Sequence, residues 1–142
     1  MELLTSTLDE NHKTICLYST GNALSNQRRD LMNLNTGHTE DGILFTFTFS
    51  KYSDGTVRVE EADLLPTWIE KHTSNTTGKI VYDIYPLDDQ IEDWKTQLNL
   101  NDSGLKNAQA SYERTMDIVG SGLEQVQAHL ASLPSIGENE SE

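Results

Sequence analysis

GILFTFTFSKYSDGTVRVEEADLL, residues 42 to 65, decides the fold class. Phe45, Phe47 and Phe49 alternate with Thr46 and Thr48, the period of two that belongs to a half-buried strand. Ser53-Asp54-Gly55 supplies a hairpin turn. Residues 56–65 then predict the partner strand, with Val57 and Val59 on one face and Arg58 and Glu60 on the other. Pro66 predicts the end of that strand, and Thr67-Trp68-Ile69 reads as a further short apolar segment.

Upstream of the hairpin, residues 13–18 read as a buried strand, preceded by a short apolar lead and a turn at Asp9-Glu10-Asn11-His12. Residues 21–41 are polar throughout, and a loop of about that length in a compact domain is usually functional or mobile. Downstream, residues 73–78 are a loop. Residues 79–85 alternate Ile80, Tyr82 and Ile84 with Val81, Asp83 and Tyr85, a third strand that Pro86 ends.

From residue 88 the period lengthens. Asp88 or Asp89 caps a short helix carrying Ile91, Trp94 and Leu98. Ser103 is the expected cap of a longer helix, with Leu105, Ala108, Tyr112, Met116, Val119, Leu123, Val126, Leu130 and Leu133 as its apolar stripe. Gly120 and Gly122 each weaken such a helix by about 1 kcal/mol relative to alanine, so a kink or break is expected there. The class is therefore α+β: antiparallel or mixed strands over about residues 13–85, followed by C-terminal helices. The expected divisions are 1–86 for the strands, 87–133 for the helical part and 134–142, ending SIGENESE, for a disordered acidic tail.

The bulk numbers narrow the partners. The chain has 142 residues, enough for one domain with a core of its own. Lys and Arg number 10 against 23 Asp and Glu, a formal charge of −13. That field repels phosphate backbones and anionic lipid surfaces, so nucleic acid is not an expected partner. No segment approaches the ~18 apolar residues that span a bilayer. The N-terminus carries no targeting signal, having neither a basic region nor a long apolar run. The single cysteine, Cys16, cannot form a disulfide within the chain and reads as a small hydrophobe.

Most candidate chemistry is absent. No nucleophile-elbow, zincin, phosphate-loop or dinucleotide motif occurs. His12, His38, His72 and His129 sit at unrelated spacings and read as surface or hydrogen-bonded residues. Glu60-Glu61 and Asp88-Asp89 read as solvated strand and cap residues.

The exception is LYSTGNALSNQRR, residues 17 to 29. An apolar strand ends there in Ser19-Thr20-Gly21-Asn22, followed by Asn26, Gln27, Arg28 and Arg29. Small polar groups at the carboxyl end of a sheet strand mark the edge where ligands bind in α/β folds. Gly21 permits close backbone approach, Asn22 can fix a neighbouring loop or orient a ligand, and the arginines can hold a carboxylate or phosphate. The other reading is an Asn/Ser-rich turn followed by two surface arginines.

The run KTICLYSTGNALSNQRR resembles the Tyr-Ser-Leu-Gly-Asn-Phe…Asn-Gln segment of the capsule-biosynthesis, CapA-type family of poly-gamma-glutamate synthesis proteins. The following TEDGILFTFTF, DGTVRVEEADLLPTW and YDIYPLDD are similar to the way such proteins finish their catalytic domain, so the resemblance spans roughly residues 1–122. Thr20 and Ala23 depart from the family's usual Leu and Phe.

The resemblance implies a calcineurin-like metallophosphoesterase sandwich with a two-metal site, at the surface of a bacterial cell or outside it. That family's Gly-Asp, Asn-Asn-His and Gly-His-x-Pro-His ligand motifs are missing here. The implied reading is the C-terminal portion of such a protein, with Met1 at an internal position of the family's chain. This portion would hold no cofactor of its own, although divalent metal ions are implied for the full-length protein. Alone it would be inactive. Ser19, Thr20, Gly21 and Asn22 would border the metal site, and Asn26, Gln27, Arg28 and Arg29 would face an anionic polymer such as polyglutamate. The alternative is a non-catalytic binding or assembly module that forms homo-oligomers through sheet edges or the helical stripe.

Overall fold

The computed structural model describes residues 1–9, 12–22 and 27–134. It is α+β, with antiparallel strands in two sheets followed by a C-terminal helix. Strands β1 (Glu2–Thr5) and β2 (Lys13–Cys16) form a two-stranded sheet. Strands β3 (Asp41–Lys51), β4 (Val57–Thr73) and β5 (Ile80–Pro86) form a three-stranded one in the order β3-β4-β5. Helix α1 (Arg29–Met32) is a single turn, α2 (Trp94–Gln97) another, and α3 (Asp102–Ser132) runs for 31 residues. Of the expected tail, residues 134–142, all but Pro134 lie outside the described residues.

The hairpin forms as its alternation predicts, with a register shift between Thr48 and Phe49. The strand expected to be buried at residues 13–18 ends at Cys16 with none of its residues buried, and two further differences lie in the sheets. The first apolar lead is itself a strand, β1, paired with β2 from Glu2↔Cys16 to Thr5↔Lys13.

The second difference is at Pro66, which does not end β4. Pro66 stands opposite Ile43, whose N–H points away from β4 to the Thr20 carbonyl at 2.9 Å. The proline's missing donor therefore falls on the β5 side of β4. There β5 has already ended at Pro86, and the Pro66 carbonyl accepts from Leu87 N–H at 2.8 Å. A proline costs a strand nothing where no ladder bond was due.

The core joins sheet and helix. Trp68, Leu87, Trp94, Leu100 and Ala108 are buried together, with Tyr85 against Trp68 and the Tyr112 ring edge-on to Trp94 at 5.5 Å. Asp88 closes the turn before α2 by accepting from Gln90 N–H and from the Trp94 indole at 2.9 Å. Asn101, not Ser103, caps α3, taking the Gly104 N–H at 2.8 Å.

The buried stripe of α3 is Gly104, Ala108, Ser111, Thr115, Val119, Gly122 and Val126. It is displaced from the expected one toward small residues, and the bulkier Leu105, Tyr112, Met116 and Leu123 flank it half-buried. Small residues let the helix axis approach its neighbours. At Gly122 a methyl group would stand 2.0 Å from the Met1 carbonyl oxygen. That packing against the start of β1 explains why α3 continues unbroken through both glycines: each weakens the helix locally, and docking offsets the loss.

Strand alternation leaves the other sheet face open. Leu44, Ile80, Tyr82 and Ile84 share it and are all substantially exposed.

Candidate functional site

The end of the first apolar run is laid along β3. Gly21 and Gly42 form an antiparallel bridge, flanked by Asn22 N–H to Asp41 C=O and Ile43 N–H to Thr20 C=O, both 2.9 Å. Two glycines are needed for this approach. A Cβ on Gly21 would sit 2.6 Å from the Asp41 carbonyl oxygen, and one on Gly42 would sit 2.7 Å from the Asn22 oxygen. Gly21 also has φ +73°, which favours glycine. The Asn22 amide donates to the Thr39 carbonyl at 2.6 Å, so it fixes the neighbouring loop. Ser19 Oγ accepts from Gly21 N–H at 3.2 Å, and Ser19, Thr20 and Gln27 remain exposed. Asn26 lies outside the described residues.

The two arginines are occupied inside the fold. Arg28 donates from Nη1 to the Ile69 carbonyl at 2.8 Å, on β4 just past the start of β3, and its Nη2 lies 3.4 Å from Glu40 Oε2. Arg29 reaches the same carboxylate with its backbone N–H and its Nη2, each at 3.3 Å. Glu40 is 1 % exposed. A carboxylate so placed requires cationic partners, because an unpaired buried charge is far costlier than a paired one. The arginines' anion is thus the chain's own Glu40. Asp30 extends the group: Lys71 Nζ lies 3.2 Å from it and holds its carboxyl below the usual range.

Next to this network is a second polar centre. Asp41 accepts from Ser111 Oγ at 2.6 Å and from Arg114 in two-pronged fashion, Nε at 2.9 Å and Nη2 at 2.8 Å. The Arg114 guanidinium passes so close to Gly37 that a side chain there would strike it. Above Asp41 a cavity of about 200 Å³ is lined by Ser19, Gly21, His38, Asp41, Thr115 and Val119, among others. Thr115 is buried, and its Oγ1 has no hydrogen-bond partner.

Serine, histidine and aspartate thus share one small cavity, but not as a nucleophilic triad. His38 Nδ1 is 4.0 Å from Asp41 Oδ2, beyond a hydrogen bond, and both Asp41 oxygens already serve Arg114. Without a hydrogen bond to Asp41, His38 is not oriented as a base toward Ser19. The donor set does not fit a divalent cation either. Its one carboxylate is neutralised by a guanidinium, and among the described residues no group of three His, Cys, Asp or Glu is arranged to hold a metal ion. The arrangement can accept and orient a small polar group.

The Ser19–Asn22 end stands out in the sequence, Glu40 and Asp41 show there only as acids following His38, and Ser111, Arg114 and Thr115 do not stand out. Ser111 and Thr115 carried a signal, polar residues one turn apart between Ala108 and Val119 on the inner stripe. His72 also gains partners the sequence did not show, Glu70 at 3.6 Å and Asp83 at 3.4 Å. Asp83 is brought to it by strand pairing, whereas Glu70 stands two positions before it on the same strand.

Compared with known proteins, the chain matches no family model, no curated protein and no solved structure.

Proposed function

We propose that this chain is the C-terminal portion of a CapA-type capsule or poly-gamma-glutamate biosynthesis protein, and that it contributes the rim of that protein's site rather than its chemistry. The observation that carries the reading is the rigid seating of Ser19–Asn22 on β3 through the Gly21–Gly42 approach. This holds the exposed Ser19 hydroxyl at the mouth of a small, largely apolar cavity that also contains His38, Asp41 and Thr115. On this reading the metal ions and their ligands belong to another part of the protein. An anionic polymer such as polyglutamate meets the exposed Ser19, Thr20 and Gln27 and the outer part of Arg29, whose side chain is 38 % exposed. Arg28 serves the rim from within.

Purified chain tests this when assayed for phosphoesterase and amidase turnover with and without added divalent metal. No turnover is expected. Metal-dependent turnover abolished by Asn22→Ala would overturn the reading.

One observation favours a second reading, a non-catalytic module that assembles with copies of itself. Ile80, Tyr82 and Ile84 are exposed along edge strand β5. A monomer at high concentration in analytical ultracentrifugation would count against it.

A further inference from the structure

At the end of the molecule remote from the rim, the two sheets part. Residues 20–22 lie against β3, but β2 diverges from it, and the widening gap is an open groove of about 680 Å³. Leu3, Ile15, Leu17, Phe47, Phe49 and Leu133 are among its apolar lining. Its polar lining includes His12, Lys13, Arg58 and His129, and among the described residues no carboxylate lines it. In a chain of net charge −13 this is a local reversal of sign.

The backbone on both banks is unpaired. The Ile43 N–H points outward to Thr20, and strand alternation turns the Phe45 and Phe47 amides the same way, toward the gap. On the opposite bank, Ser6 N–H bonds the His12 carbonyl, so the residues facing β1 are the even-numbered ones. Lys13 and Ile15 therefore turn their main-chain groups outward. Among the described residues, neither outer edge has a strand partner there. Arg58 lines the same groove. Its Nη1 donates to the Pro134 carbonyl at 2.7 Å, and its Nε, without a hydrogen-bond partner, lies 3.7 Å from Glu60 Oε1, which meets part of its charge.

We infer that this groove binds an extended peptide segment of alternating apolar and acidic residues, which enters as a strand between β2 and β3. Main-chain bonds to both banks supply affinity. The apolar side chains fill the wedge over Leu133, and the acidic ones meet Lys13 and Arg58. Such a strand would join the two sheets into one. The inference rests on the groove alone and is independent of the Ser19–Asn22 rim.

The test uses the full chain and two synthetic peptides, one alternating valine with glutamate and one alternating valine with lysine. Amide hydrogen exchange and binding titrations are followed by NMR. The glutamate peptide is expected to bind about tenfold or more tighter than the lysine peptide. It should slow exchange at the Phe45, Phe47 and Ile15 amides. Its affinity should fall with added salt while that of the lysine peptide rises. Replacing Lys13→Glu and Arg58→Glu together should invert the preference, and the salt comparison stands on the unaltered chain if that variant does not fold. Equal affinities would overturn the proposal. So would displacement of the peptide by laurate without change at those amides, which would make the occupant an acyl chain. Concentration-dependent protection of the same amides without peptide would also overturn it, because the occupant would then be a second copy.

Discussion

The two ends of the gap between β2 and β3 are built on opposite terms. At the Gly21–Gly42 end the backbones touch, and Glu40 and Asp41 are consumed by Arg28, Arg29 and Arg114. At the Phe49–Leu133 end the strands stand apart, apolar side chains share the lining with His12, Lys13, Arg58 and His129, and outward main-chain groups border an open groove. The polar segment is thus the one whose carboxylates are met by the fold's own arginines. A loop rich in amides and arginines is not by that fact a binding loop, because a fold can use the same groups to hold itself.

The largest way to break the comparison is at Asp41. Asp41→Ala strands a two-pronged guanidinium and a buried serine hydroxyl, and should lower unfolding free energy by about 3 kcal/mol in urea titrations. A loss under about 1 kcal/mol would mean that Arg114 finds water instead.

Gly21→Val comes next. It places a β-branched side chain at positive φ and against the Asp41 carbonyl, for about 2 kcal/mol by the same measurement.

At the open end the same experiment should register little. Phe49 is 63 % exposed, so Phe49→Ser should cost less than about 1 kcal/mol despite removing an aromatic ring. A larger loss would show the groove to be closed in solution.

A finer probe is alkaline titration. Tyr18, which leads into the rim, donates to Glu2 at 2.7 Å, and that bond to a carboxylate pushes its phenol up from 10.0 to about 12. Tyr85 is pushed up to about 12 chiefly by burial. A raised phenol favours the folded state below pH 10, and the contribution is lost as pH rises through about 12. Tyr52, which donates to Glu60, is raised as well, so tyrosinate absorbance should show three late-ionising phenols. Glu2→Gln should return only the Tyr18 step toward the ordinary value.

Much of the fold was legible because its signals are local. Phe45-Thr46-Phe47-Thr48-Phe49 gives its strand by alternation alone, and Asp54-Gly55 gives the turn, with Asp54 Oδ1 taking the Thr56 N–H. What stayed hidden depends on distant partners. Pro66 is harmless only because β5 stops at Pro86. Gly122 stays helical in a helix that Met1 approaches from the far end of the sequence. The candidate site divides the same way. The glycine and amide signature of Gly21 and Asn22 is local and was readable. The use of Arg28 required knowing that Glu40 lies opposite it, and Asp41 meets Arg114 across 73 positions.

The central claim is that the charge of the Ser19–Arg29 segment is spent on seating that segment. A double-mutant cycle on Arg28→Ala and Glu40→Ala, read by chemical denaturation, tests it most directly. The two losses should be coupled by about 1 kcal/mol or more. Additivity within about 0.3 kcal/mol, together with loss of polyglutamate binding in Arg28→Ala at unchanged stability, would contradict it and return the arginine to the ligand.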